Sequence, residues 1–148
     1  RKYYASGSWE LFISLESKDE VSLFAFIRLR IPPQVHKPLF ECLKNKGLVR
    51  ELHVYGNLVP VGVKNNTNLA VQHKGVGKIL LKKAERSAFL NNCKGVAIIS
   101  GEGVKYYYRA RGYHEKETFM VKEFINLYSW IRYLSYVMLI ILFSMCNY

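Results

Sequence analysis

The chain has 148 residues, a length that suits one domain with a real core and leaves little room for a second. Half of the residues are apolar and aromatics are plentiful, which excludes a disordered chain. Net charge is +11, with 22 basic residues facing 11 acidic ones; this favours a polyanionic partner such as RNA, a nucleotide cofactor or an anionic membrane surface, with a merely basic soluble domain as the alternative. Cys42, Cys93 and Cys146 lie far apart and form no C-x-x-C, so neither an iron–sulfur cluster nor a cysteine-rich zinc site is supported. His36, His53, His73 and His114 are scattered singly, which suits surface residues better than metal ligands. A reducing compartment fits these cysteines. The chain carries no N-terminal signal peptide and does not start with Met, so it reads as a fragment or a processed form.

In chain order, Ala5-Ser6-Gly7-Ser8 predicts a turn and Trp9 to Leu15 a strand. Ser17 to Glu20 is a polar turn, and Val21 to Arg30 a second strand that forms an antiparallel hairpin with the first. Pro32-Pro33 stops it. Phe40 to Gly47 is loop-like. Gly47 to Tyr55 alternates in part and is rich in strand formers; Gly56-Asn57 breaks it, Leu58 to Val61 resumes, and Asn65 to Asn68 is a loop. A helix over Lys78 to Asn92 has an apolar stripe of Ile79, Leu80, Leu81, Ala84, Ala88 and Phe89, leaving Lys82, Lys83, Glu85 and Arg86 to water. Val96 to Ser100 predicts a short buried strand. Gly103 to Arg111 predicts a second helix ended by Gly112, and Tyr113 to Lys122 a last strand or hairpin. The order predicts an α+β fold with a mixed sheet.

Between the central strand and the long helix stands Gln72-His73-Lys74-Gly75-Val76-Gly77. Gly75 and Gly77 allow a tight turn and close approach to a ligand, and the helix behind them opens with N–H groups that have no intrahelical acceptor. Together with the positive end of the helix dipole they make an anion site, flanked by Lys74 and Lys78. A dinucleotide-binding fingerprint would place a third glycine where Leu80 stands, so that reading is poor. The form Q-x-x-G-x-G before a helix resembles the acetyl-CoA pyrophosphate loop of the GNAT N-acetyltransferases; a purely structural turn is the alternative for the motif alone.

Further strings narrow the resemblance. Arg50-Glu51-Leu52-His53-Val54-Tyr55-Gly56 precedes Val59-Pro60-Val61 and the glycine turn. Ala84-Glu85-Arg86, Ile99-Ser100-Gly101, Tyr107-Tyr108-Arg109-x-x-Gly112-Tyr113 and Met120-Val121-Lys122 follow, with Gly7-x-Trp9-Glu10 and Arg28-Leu29-Arg30 near the start. In this order they resemble the acetyltransferase domain of the catalytic subunit of the Elongator complex, over roughly residues 1–122. Where that family has Gly-Pro-Tyr before Met-Val-Lys, this chain has Glu117-Thr118-Phe119.

The resemblance implies the GNAT fold, acetyl-CoA as donor and a tRNA whose wobble uridine is modified; acetylation of a lysine-bearing protein, histones included, is the alternative activity. It implies cofactor contacts from Glu51, Leu52, His53 and Val54 on the central strand and from Gln72, Gly75, Val76, Gly77 and Lys78 at the turn. It places Tyr108 near the thioester, with Tyr107 beside it. A phenol there would protonate the departing CoA thiolate or hydrogen-bond the thioester sulfur, while an aromatic helix turn packed in the core is the other reading of Tyr106 to Tyr108. Glu51 and His53 share a strand face by period two and are candidate general bases, or a polar pair facing solvent. Other Elongator subunits are implied partners. The family's iron–sulfur cluster and SAM would belong to a domain that this chain does not carry. A non-catalytic, membrane-tethered module binding acetyl-CoA or RNA is a further alternative.

Residues 1–122 thus read as the acetyl-CoA-binding domain and residues 123–148 as a hydrophobic tail. Tyr133 to Tyr148 is sixteen residues without one charge, and back to Phe124 the only charge is Arg132. A membrane helix needs about 20 apolar residues and about 10–14 suggests a core helix, so this C-terminal hydrophobic helix falls between. It reads as a transmembrane tail anchor with Tyr128, Trp130 and Tyr133 as an interfacial collar and the domain on the cytosolic side; packing on the domain or on a partner is the alternative. Without an anchor, cytoplasm or nucleus is expected.

Overall fold

The computed structural model describes residues 1–33, 37–55 and 75–124. The strands are β1 (Lys2–Ala5), β2 (Ser8–Glu16), β3 (Leu23–Ile31), β4 (Lys46–Val54), β5 (Gly95–Ile99), β6 (His114–Lys116) and β7 (Phe119–Glu123). The helices are α1 (Val76–Leu90) and α2 (Lys105–Arg109). Among the described residues one mixed sheet holds seven strands in the order β1-β2-β3-β4-β5-β7-β6. Among the described residues only β4 and β5 pair in parallel, and α1 lies between them in sequence. A parallel pair needs such a crossover, whereas the antiparallel pairs β1–β2, β2–β3 and β6–β7 close with short turns.

The hairpins follow from local chemistry. Ser6 and Gly7, both at positive φ, form the two-residue turn between β1 and β2, the geometry that matches strand twist. Between β2 and β3, Ser17 N donates to Ser22 O at 2.9 Å and Ser22 N to Ser17 Oγ at 2.9 Å. That closed loop delays β3 to Leu23, two residues later than expected. The final segment is a hairpin turning at Glu117, which takes φ +55.

Alternation sorts the sheet's two faces. Ala25, Ile27, Leu29 and Ile31 of β3 meet Val96 and Ile98 of β5 and Met120 of β7 in the main core, under Val76, Leu80, Leu81, Ala84 and Ala88 of α1. Each fully buried Leu or Ile there contributes about 1.5–3 kcal/mol. On the other face, Cys42, Ala97, Phe119 and Val121 form a smaller core beneath a 3-10 turn at Glu41–Leu43, in the segment expected to be loop. β5 is buried on both faces from Gly95 to Ile98, which explains its short unbroken apolar run.

Three expectations need correction. Ile79 and Phe89 are 57% and 60% exposed, because Val76 replaces them in the stripe and turns it away from their side. Glu85 does not face water: its carboxylate accepts from Tyr113 Oη at 2.8 Å and Lys122 Nζ at 3.1 Å. The second helix is shorter, with a 3-10 turn at Glu102–Val104 leading into α2. The expected strand Leu58 to Val61, the Asn65 to Asn68 loop, Gln72 and the tail beyond Phe124 lie outside the described residues. Among the described residues, no helix is long and apolar enough to cross a membrane.

Candidate active site at the start of the long helix

β4 explains the partial alternation of its sequence. Its register against β3 slips between Arg28 and Leu29, which oppose Glu51 and Val49, so Arg50 is an extra residue in a bulge. A bulge bends and twists the strand and re-aims its side chains. Val49 and Leu52 therefore both serve the main core, while Arg50 Nη1 reaches Glu10 Oε1 at 3.4 Å. Pairing with β5 ends at Val49↔Ile98, but β4 continues to Val54 along β3. From Arg50 to Val54 the strand thus has no partner on its β5 side among the described residues.

The start of α1 lies beside this open edge. Gly75 sits at φ +92, a conformation that costs about 1–2 kcal/mol for a residue with a Cβ. Its carbonyl accepts from Ile79 N at 3.0 Å, so the N–H groups of Val76, Gly77 and Lys78 are left without intrahelical acceptors. Among the described residues no side chain caps them, and the first turn holds no acid; exposed Lys78 stands there instead. A cation at the positive end of a helix is unfavourable on its own and favourable when an anion binds between them.

Gly77 marks the closest approach. A Cβ built there would lie 2.8 Å from Tyr107 Oη and 3.5 Å from Val54 Cγ2. A glycine here lets the end of β4, the start of α1 and the ring of Tyr107 converge. Tyr107 is held by Arg111, whose guanidinium carbon lies 3.4 Å from the ring centroid and whose Nη1 donates to the Tyr107 carbonyl at 2.5 Å. Buried Lys105 anchors α2 by donating to Glu102 and Glu115 at 2.5 Å each, and Arg109 adds a 2.9 Å bond to Glu115.

Tyr108 is only 6% exposed and packs edge-on to Tyr107 and Tyr113, at 5.2 and 6.0 Å between centroids. Burial pushes its phenol up, Tyr107 adds to the effect and Arg111 opposes it. The group stays protonated at neutral pH, as an acid or hydrogen-bond donor must. Tyr106, by contrast, is 72% exposed, so the three tyrosines do not form one packed turn.

Of the residues singled out in the sequence, Val54, Gly77 and Tyr107 meet directly, with Gly75, Val76 and Lys78 alongside. Glu51 and His53 share the sheet face away from α1. Glu51 Oε1 accepts from Arg28 Nη1 at 2.8 Å, and the His53 ring stacks on Phe26 at 5.1 Å. Sequence reasoning missed the Lys105 anchor and the stacking of Arg111 on Tyr107. The second had a signal, since Arg111 follows Tyr107 by one helical turn.

No family model matches the chain. Elongator complex protein 3 of Bos taurus is 42% identical over 123 residues, covering 82% of this chain and 22% of the relative. The chain therefore spans about a fifth of the length of the curated relatives it matches. The structure of archaeal Methanocaldococcus infernus Elp3 with an N-terminal deletion superposes with a TM-score of 0.69 at 38% identity, covering 84% of this chain and 29% of that one. PaiA N-acetyltransferase from Thermoplasma acidophilum, solved in complex with coenzyme A, superposes at 0.50 with 20% identity, over 78% of this chain and 61% of that one, and so bears on the fold alone. The chain belongs to the Elongator complex protein 3 family, as a segment of it, and has the GNAT acetyltransferase fold.

Proposed function

We propose that this domain binds acetyl-CoA at the start of α1 and releases or transfers its acetyl group in a tRNA-dependent way, within an enzyme that modifies the wobble uridine. The observation that carries the reading is the convergence at Gly77. Uncapped helix donors, an acid-free first turn with Lys78, and the unpaired edge of β4 meet at one point. The pyrophosphate is held by the N–H groups of Val76, Gly77 and Lys78. The pantetheine amides pair with the backbone of Glu51 to Val54 as an added strand would. Tyr108 keeps its proton and gives it, or a hydrogen bond, to the sulfur that leaves with CoA. The basic surface implied by a net charge of +11 supports an RNA acceptor. The apolar segment after Phe124 serves as a membrane anchor that holds the domain on the cytosolic side.

The test is release of free CoA from acetyl-CoA, with and without tRNA, by the chain and its Gly77→Glu variant. The variant drives a carboxylate toward the anion site and a Cβ into the Tyr107 hydroxyl. Acetyl-CoA affinity is expected to fall about a hundredfold, and tRNA-stimulated release to vanish with it. Absence of acetyl-CoA binding by the unmodified chain would reduce the glycine turn to a structural turn. Transfer to a lysine peptide without any response to tRNA would assign the acceptor to protein instead.

A further inference from the structure

A second cationic feature lies one to two turns along α1 from the glycine entrance. A cavity of about 200 Å³ opens between α1 and the end of α2, lined by Lys78, Lys82, Glu85, Arg111 and Lys122 among others. Four cations face one carboxylate, and that carboxylate is already engaged by Tyr113 Oη and Lys122 Nζ. Arg111 Nε is buried with no hydrogen-bond partner among the described residues. Lys78 and Lys82 are exposed, with no ion pair to a carboxylate among the described residues. A small cavity with surplus positive charge and an unspent guanidinium donor suits a compact dianion.

We infer that this cavity receives the ribose 3′-phosphate of the acyl-CoA donor, which makes it a specificity site for phosphorylated over dephosphorylated CoA. The inference rests on the acetyl-CoA reading above. Its geometry follows from helix rise: at about 1.5 Å per residue, Lys82 stands roughly 8 Å along the axis from Gly77. The 3′-phosphate sits on the same ribose as the pyrophosphate chain, one sugar ring away. A pyrophosphate held at the start of α1 therefore brings that group toward Lys78, Lys82 and Arg111. The same ring of donors would equally accept a phosphate of an RNA backbone, and the two sources are separable.

The experiment compares the dissociation constants of acetyl-CoA and acetyl-3′-dephospho-CoA for the chain and for Lys82→Glu, by titration calorimetry. The unmodified chain is expected to prefer the phosphorylated donor about tenfold or more. Lys82→Glu should cut that preference to about twofold by weakening the phosphorylated donor alone. Equal binding of the two donors by the unmodified chain overturns the inference while leaving the cofactor reading intact. A Lys82→Glu variant that keeps its preference but loses affinity for an RNA oligonucleotide assigns the cavity to a backbone phosphate and also overturns it. Failure to bind either donor removes both the inference and the reading it rests on.

Discussion

The two edges of β4 are the instructive contrast in this molecule. Toward β3 the strand is paired from Leu48 to Val54, six register partners interrupted only by the Arg50 bulge. Toward β5 it is paired at four positions and then left open. Among the described residues, Glu51 to Val54 are thus fixed in place by one neighbour and unpaired toward the other. An open sheet edge is ordinarily a liability that invites aggregation. Here Gly77 and Tyr107 approach the end of it at Val54, which would make the edge one wall of the proposed cofactor site. Fixing on one side is what lets the other side stay open without the strand losing its position.

The contrast can be broken most severely from the paired side. Leu29 is fully buried opposite Val49, and Leu29→Ala should lower unfolding free energy by about 2–5 kcal/mol in urea denaturation, taking acetyl-CoA binding down with the fold. A smaller effect on stability but a large one on turnover is expected at the open side. Tyr108→Phe should reduce CoA release by about a hundredfold or more with little change in acetyl-CoA affinity, whereas Tyr107→Phe should act on affinity, since its hydroxyl lies against Gly77. If the two substitutions exchanged these effects, the acid would be Tyr107.

The polar pair on the fixed side sharpens the contrast further. Glu51 and Arg28 are each about a third exposed, so Glu51→Gln should change stability by under about 1 kcal/mol and turnover only a few-fold. A hundredfold loss of turnover at neutral pH would instead make Glu51 a general base. The smallest effect lies far from the site. Burial raises the Cys93 thiol from 9.0 to about 11, so the folded state holds that proton more tightly than the unfolded state does. Its contribution is full below pH 9.0 and is lost as pH rises toward about 11. Melting temperature measured across that window should therefore fall less for Cys93→Ala. A decline remains, because burial also raises the Cys42 thiol from its ordinary value of 9.0, and it should steepen near pH 10, where unfolded tyrosines ionise while buried Tyr108 and Tyr113 resist doing so.

By itself the sequence determined most of the elements and where the candidate site was to be sought. Alternation in Trp9 to Leu15, the stripe of Leu80, Leu81, Ala84 and Ala88, and the glycines before an uninterrupted helix are local signals, set by side-chain period and backbone freedom. They identified the long helix, the glycine turn before it and the strands other than β1 (Lys2–Ala5), which was not foreseen. The tertiary structure alone decided three things that depend on partners distant in sequence. The Arg50 bulge is visible only against β3, because a slip in register is a relation between two strands. Glu85 looked like a surface residue on its helix, yet Tyr113 and Lys122 come to it from 28 and 37 residues away. The choice of Tyr107 rather than Tyr108 as the ring against Gly77 depends on how α2 is anchored. Lys105, Glu102 and Glu115 set that angle through bonds between separate turns and strands, and no period in the sequence encodes it.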